Sequence, residues 1–142
     1  MKLMPFFILS LLPLTAFGQD FQWEIKADSI IANAKEQLGV SYKWGTSEPK
    51  VSFDCSGFAS YVYGSSGVKN SRSSSGYSTL GKPVLLAESR KGDCIIFAGT
   101  APGSISPGHL GIVVSHTDNR LQFIHCSSSK KHFGVVITEY FS

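Results

Sequence analysis

The chain has 142 residues, enough for one domain with a single hydrophobic core and too few for two. It carries 13 Lys and Arg against 10 Asp and Glu, and residues 1–18 contribute only Lys2 to this balance. The nearly neutral remainder argues against a nucleic-acid partner.

The first 18 residues have the pattern of a secretory signal peptide. Lys2 precedes an apolar run over residues 3–14, and small residues occupy the −3 and −1 positions of a cleavage site after Gly18. We therefore expect a secreted or periplasmic protein whose mature form is one domain, residues 19–142. The apolar run is shorter than the roughly 20 residues of a membrane-spanning helix, so no stable membrane anchor is expected.

The next predicted element is a helix that begins at Asp28 or Ser29 and stops at Gly39. Apolar residues recur between these signals at helical spacing, as in Ile30, Ile31 and Ala34.

A second helix is predicted in the stretch FDCSGFASYVYG, residues 53–64. Five residues fall at the i, i+3, i+4, i+7 and i+8 positions of one buried helical face: Cys55, Phe58, Ala59, Val62 and Tyr63. Asp54 is the expected N-cap, and Gly64 or Gly67 the expected end. Cys55 would then lie in the first turn, where the positive end of the helix dipole favours a thiolate.

The second half of the chain changes from helical to strand patterns. Residues 69–82 are rich in Ser and Gly and predict a long loop with at most a short helical turn. Four short β-branched runs follow: DCIIFAG, HLGIVVSH, RLQFIHC and GVVITEY. This order predicts an α+β domain in which N-terminal helices pack on an antiparallel β-meander.

The chain has three cysteines, Cys55, Cys94 and Cys126, all downstream of the predicted cleavage site. An odd number of cysteines in an exported protein indicates a free reactive thiol or an intermolecular bridge. Cys94 and Cys126 lie in apolar strand patterns, so we interpret them as core residues. A disulfide between these two is the alternative.

The register of two neighbouring predicted strands determines which of their histidines lie close together. If residues 117–119 form the loop, His116 pairs with Arg120 and Gly111 lies opposite His125. His109 and His125 are then diagonal neighbours on one face, close enough for their rings to hydrogen-bond. A loop longer or shorter by one residue would put them on opposite faces.

A cysteine at a helix N-terminus with a histidine and a second polar residue is the thiol form of a catalytic triad. In this hypothesis Cys55 attacks a carbonyl, His109 takes its proton and later protonates the leaving amine, and His125 orients the His109 ring. Zinc is the rival interpretation, but the sequence lacks the close Cys and His pairs of structural zinc sites. We therefore expect no metal and no cofactor.

Several segments together resemble the NlpC family of bacterial cell-wall cysteine peptidases, which have a papain-like fold. The resemblance runs from about Ile30 to Tyr140, and the segments come in the family's order: YKWG, FDCSGF, KGDCIIF, GHLGIVV, FIHCSSS and GVVI. By position, the family's nucleophile falls on Cys55, its base on His109 and its third polar residue on His125.

The resemblance also implies substrate-binding residues around the nucleophile. Tyr42 matches the tyrosine of the family's upstream segment, and Asp54 and Ser56 match positions that in relatives help to bind the peptide's amino end. The segment SRSSSGY resembles the family's Arg-x-Ser loop, which puts Arg72 and Ser74 at the rim of the cleft.

The sequence departs from the family pattern in three places. Thr46 follows Gly45 where relatives have a second glycine, and Cys94 replaces a usual leucine. Relatives also continue past the final TEYFS with one more strand, so we expect a bare sheet edge there.

The function implied by the resemblance is hydrolysis of peptidoglycan stem peptides or muropeptides through an acyl-thioenzyme, at the γ-D-glutamyl-diaminopimelate bond. Three alternatives stay open, since fold does not fix substrate. Two are enzymes on the same scaffold, a muramoyl-alanine amidase and an acyltransferase. The third is an inactive wall-binding module, which the intact Cys55, His109 and His125 set disfavours.

Overall fold

The computed structural model describes residues 15–141. Most of the predicted signal peptide lies outside this range. Within residues 15–141, no helix has both the length and the apolar character needed to cross a membrane.

The helices are α1 (Thr15–Lys35), α2 (Cys55–Ser65) and α3 (Ser74–Tyr77), with a 3-10 turn at Leu86–Glu88. The strands are β1 (Ser41–Tyr42), β2 (Ser47–Glu48), β3 (Ser52–Phe53), β4 (Cys94–Ala98), β5 (Pro107–Thr117), β6 (Arg120–Ser128) and β7 (Phe133–Phe141).

Strands β4 to β7 form one antiparallel sheet in chain order, which confirms the predicted meander and the α+β class. The loop over residues 69–82 contains only the four-residue α3, also as predicted. A second, small sheet was not predicted. In it β3 lies between β1, which is parallel to it, and β2, which is antiparallel.

The predicted start of α1 is wrong, because the helix begins at Thr15 and ends at Lys35. Asp28 lies inside the helix, and its carboxylate pairs with Lys91 instead of capping. The buried face includes Ala27, which extends the helical spacing of Ile30 and Ala34 upstream of the expected start. Trp23, one turn further upstream, also packs on the core, so apolar burial accounts for the helix back to about Trp23, while residues 18–22 are exposed.

Helix α2 begins at Cys55 with Asp54 as its N-cap, as predicted, and ends at Ser65. Its buried side chains Phe58, Ala59 and Val62 belong to one core cluster with residues of α1, β5 and β6. On β5, Leu110 and Ile112 alternate into this core. The main core therefore lies between the helices and one face of the sheet.

The other face of the sheet carries a smaller apolar cluster that includes Val113, Leu121 and Phe123. The ring of Phe97 on β4 lies 6.4 Å from that of Tyr140 on β7. These strands are three positions apart, a separation of roughly 14 Å in a flat sheet. The sheet is therefore strongly curled, and its concave side is lined by aromatic rings.

The outer edge of β7 is not fully bare, contrary to the expectation. The amide of Gly39 donates to the carbonyl of Val135 at 2.9 Å, and the amide of Val135 donates to the carbonyl of Val40 at 2.8 Å. The chain between α1 and β1 thus pairs with this edge over part of its length.

Candidate active site

Cys55 is the first residue of α2 and is 8% exposed. The Asp54 carboxylate accepts a hydrogen bond from the amide of Gly57 at 2.6 Å, which fixes the start of the helix. The thiol lies 3.7 Å from the hydroxyl of Ser74, the first residue of α3. Of the expected rim residues, Ser74 is therefore in contact with the nucleophile candidate.

Asp54 and Arg72, both expected to meet substrate, form an ion pair with each other. The two guanidinium nitrogens donate to the two carboxylate oxygens at 2.8 and 2.9 Å, and the amide of Gly45 adds a bond of 2.8 Å. Asp54 is only 5% exposed. A substrate ammonium would therefore have to compete with Arg72 for this carboxylate.

The ion pair also determines the charge of Asp54. Burial alone would raise the pKa of its carboxyl, but the hydrogen bonds from Arg72, Gly57 and Gly45 outweigh burial and lower the pKa. The carboxylate is therefore ionised at neutral pH. Ser56 completes the network, since its hydroxyl donates to the backbone carbonyl of Arg72 at 2.8 Å.

Tyr42 is held near the nucleophile by the small sheet. It pairs directly with Phe53, two residues before Cys55. Burial raises the pKa of its phenol, and the neighbouring Cys55 and Asp54 raise it further. Tyr42 is thus a neutral hydrogen-bonding group beside the start of α2.

The two histidines form a hydrogen-bonded dyad. His109 lies near the start of β5 and His125 lies on β6, and His109 Nε2 is 2.7 Å from His125 Nδ1. The ring centroids are 4.9 Å apart and nearly perpendicular. The predicted contact between these two residues is therefore present.

The loop used to predict this contact was wrong by one residue, but a β-bulge restores the register. The turn contains only Asp118 and Asn119, both with positive φ, so that Thr117 pairs with Arg120. A bulge at Val114 then shifts the ladder back by one residue. Beyond the bulge Val113 pairs with Phe123 and Ile112 with Ile124, which is the predicted register.

Aromatic rings surround the dyad on the concave face. Phe97 lies against His109 and Phe123 against His125, with centroid distances of 6.0 and 4.6 Å. Burial lowers the pKa of His109. Burial, together with His109 and His132, lowers the pKa of His125 to about 4. His125 is therefore neutral at physiological pH, and its Nδ1 can accept a hydrogen bond from Nε2–H of His109 without charge repulsion.

Cys55 and His109 lie on elements that pack together, since α2 and β5 share the main core. Within residues 15–141 the thiol makes its hydrogen-bond contact with Ser74 and none with His109. Catalytic hydrogen bonds are often long in enzymes without substrate and tighten in the Michaelis complex.

The other two cysteines are free in the structure, which disagrees with a disulfide between them. Cys126 is a core residue as interpreted, whereas Cys94 is partly buried and packs against the core. The Cys126 thiol is fully buried and donates to the carbonyl of Phe53 at 3.2 Å. Burial raises the pKa of Cys94 and that of Cys126 to about 12. Both are protonated at neutral pH and are poor nucleophiles.

Sequence reasoning missed Thr138 on β7. Its hydroxyl lies 2.8 Å from Nε2 of His125, so the dyad continues to a third strand. Strand alternation could have found it, because Thr138 pairs with Phe123 and so faces the same side of the sheet as His125.

Within the described part of the chain, no cluster of three or more His, Cys, Asp and Glu side chains could hold a metal ion.

Curated proteins with similar sequences include peptidoglycan-type peptidases by name. A probable endopeptidase p60 of Listeria seeligeri is 36% identical over 97 residues, which is 66% of this chain and 18% of the relative. A gamma-DL-glutamyl hydrolase of Bacillus subtilis is 28% identical over 133 residues, 94% of this chain and 30% of the relative. The chain thus spans less than a third of the length of these curated relatives.

Solved structures of NlpC/P60 domains are similar to this chain in fold. An NlpC/P60 family protein from Bacillus cereus matches with a TM-score of 0.64 and 32% identity, covering 79% of this chain and 34% of that one. The P60 domain of an antigen from M. avium paratuberculosis matches with a TM-score of 0.66 and 26% identity, covering 88% and 91%. The family model described as NlpC/P60 family matches residues 39–141. The chain therefore belongs to the NlpC/P60 family.

Proposed function

We propose that this domain is a cysteine peptidase that hydrolyses peptidoglycan stem peptides. The observation that carries the proposal is the combination of Cys55 at a capped helix N-terminus with the hydrogen-bonded His109 and His125 on the sheet beside it. The names of the relatives, endopeptidase and gamma-DL-glutamyl hydrolase, support the same class of reaction.

In the proposed mechanism, Cys55 Sγ attacks the carbonyl carbon of the scissile amide while His109 takes the thiol proton. The tetrahedral oxyanion is stabilised by the backbone N–H of Cys55 at the positive end of α2. The intermediate collapses as His109 gives its proton to the leaving amine, which leaves a thioester on Cys55. A water molecule, deprotonated by His109, then attacks the thioester and releases the acid and the free thiol.

His125 acts in this scheme by holding the His109 ring. When His109 carries the proton, its Nε2–H donates to Nδ1 of the neutral His125, a separation of 2.7 Å. A neutral partner orients the imidazolium without adding a second buried charge. Because the pKa of His125 is about 4, this residue stays neutral at neutral pH.

For the bond, we propose the γ-D-glutamyl link to diaminopimelate. The names of two Bacillus subtilis relatives support this bond. One is a gamma-DL-glutamyl hydrolase and the other a bifunctional muramidase/DL-endopeptidase. The second relative is 29% identical over 89 residues, 63% of this chain.

Recognition of a free L-alanine amine is a finer proposal, based on Asp54 and Ser56 next to the nucleophile. A site that binds an amine can reject an N-blocked analogue by as much as about 10⁴. Because Arg72 already occupies the Asp54 carboxylate, we propose a preference well below that limit. The free peptide L-Ala-γ-D-Glu-diaminopimelate is then cleaved faster than its N-acetylated form.

Digestion of defined muropeptides, with product masses, tests the proposal. The expected products of the free tripeptide are L-Ala-D-Glu and diaminopimelate. Release of muramic acid from an intact stem peptide would instead identify an amidase, and transfer of the acyl group to an added amine would identify an acyltransferase. Binding of sacculi without any product would identify an inactive module.

We further propose that the chain is exported and cleaved after Gly18. The basis is the sequence pattern of residues 1–18, a basic start followed by an apolar run and small residues at the cleavage positions. Expression in a bacterial host followed by N-terminal sequencing of protein from the periplasm or medium tests it. The expected first residue is Gln19, and a retained Met1 in that fraction would contradict the proposal.

A further inference from the structure

Both ring nitrogens of His125 have polar partners. Nδ1 lies 2.7 Å from His109 Nε2, and Nε2 lies 2.8 Å from the hydroxyl oxygen of Thr138. His125 is 7% exposed, and its two partners are partly buried. A line of three polar groups thus crosses from β5 through β6 to β7.

The donors and acceptors along this line can be assigned, because each ring nitrogen either donates or accepts a hydrogen bond. A neutral imidazole has one donor nitrogen and one acceptor nitrogen. In the proposed mechanism His109 becomes doubly protonated, so its Nε2 donates and His125 Nδ1 must accept. The single proton of His125 must then be on Nε2, where a buried N–H needs an acceptor.

Thr138 supplies that acceptor. The hydroxyl oxygen can accept a hydrogen bond from Nε2–H while its own hydrogen points elsewhere. The position of Thr138 is fixed by the ladder, in which it pairs with Phe123 and is the diagonal neighbour of His125 on the same face. The hydroxyl is therefore held by a regular strand paired with β6 and not by a loop.

We propose that Thr138 is a positioning residue, whose hydroxyl keeps the proton of His125 on Nε2 and so leaves Nδ1 free to accept from His109. This inference rests on the proposed function, since it concerns the same reaction. Thr138 itself touches neither Cys55 nor the scissile bond in this scheme. It acts through His125, in the way that the partner of a histidine commonly selects its tautomer.

The test compares Thr138→Val with Thr138→Ser. Valine keeps the β-branched shape and the strand preference but has no hydroxyl, whereas serine keeps the hydroxyl. Thr117→Val at the exposed end of β5 is the matched control for the loss of a threonine hydroxyl from a strand. The substrate is the free tripeptide of the proposed function.

The expected result is a fall of about tenfold in kcat for Thr138→Val with KM unchanged, the effect of losing one partly buried hydrogen bond. Thr138→Ser restores most of the rate, and Thr117→Val equals the wild type. In nitrogen-15 spectra of the histidine rings, His125 is protonated on Nε2 in the wild type and shifts towards Nδ1 in Thr138→Val.

The spectra decide the inference independently of activity. A wild-type His125 protonated on Nδ1, or an unchanged tautomer and rate in Thr138→Val, overturns it. If the wild type cleaves no stem peptide, the proposed function fails, and the tautomer of His125 in the wild type and in Thr138→Val still supports or overturns the role of Thr138.

Discussion

Replacing Arg72 by Gln should destabilise the domain by about 2 to 3 kcal/mol at pH 7. The change removes two charge-assisted hydrogen bonds, of 2.8 and 2.9 Å, from a buried carboxylate. Breaking a fully buried pair costs about 3 to 5 kcal/mol. The expected value is lower, because the Arg72 side chain is 45% exposed and Asp54 keeps its bonds from Gly57 and Gly45.

The same variant should change the acid dependence of stability. The folded-state pKa of Asp54 is lowered, so its contribution is fully present above the unfolded pKa of about 3.9 and is lost as pH falls through the folded value. Without Arg72 the pKa of Asp54 in the folded state rises, so Asp54 makes a smaller pH-dependent contribution to the free energy of unfolding. The difference in unfolding free energy between wild type and Arg72→Gln should therefore shrink as the pH falls from about 5 towards 2.

Urea denaturation followed by circular dichroism measures both effects. Arg90→Gln is the matched control, because Arg90 pairs with Asp20 on the surface, with both side chains more than half exposed. Its expected cost is below about 1 kcal/mol. An Arg72→Gln protein within 0.5 kcal/mol of the wild type, or a difference that stays constant down to pH 2, would refute the ion pair's role.

Three further predictions concern the sheet around the dyad. His125→Asn should keep more hydrolytic activity than His125→Ala, because an amide can still accept from the His109 ring; equal rates would argue against an orienting role. Gly111→Ala should cost about 1 to 3 kcal/mol in a thermal melt and disturb the dyad, since the new Cβ would lie 2.7 Å from the Phe123 ring and 3.2 Å from His125 Cβ. Cys126→Ala should lower the melting temperature but not kcat, because its thiol is buried and protonated, and a loss of turnover in the folded variant would contradict this.

Elements with local signals could be predicted from the sequence. Asp54 before a run of helical spacing fixed the start of α2, and alternation with turn residues located the four strands of the meander. The start of α1 could not be predicted, because Asp28 pairs with the distant Lys91 and the packing of Trp23 and Ala27 on the core continues the helix upstream of Asp28.

In the candidate site, too, residues with local signals could be predicted and contacts between distant segments could not. Cys55, His109 and His125 follow from a helix cap and a strand register, although two compensating differences, a shorter turn and a bulge at Val114, produced the correct register. The contact of Thr138 with His125 and the pairing of Arg72 with Asp54 join segments that local patterns do not connect. Such contacts depend on how the sheet and the loop fold over the site.

The most direct test of the proposed mechanism is the turnover of the free tripeptide by wild type, Cys55→Ala and Cys94→Ala, with mass spectrometry of both the peptide and the intact protein. The proposed mechanism predicts cleavage by the wild type and by Cys94→Ala, a transient acyl adduct on the wild-type thiol, and neither product nor adduct for a folded Cys55→Ala protein. Cleavage by the folded Cys55→Ala protein at a rate comparable to the wild type would contradict the mechanism.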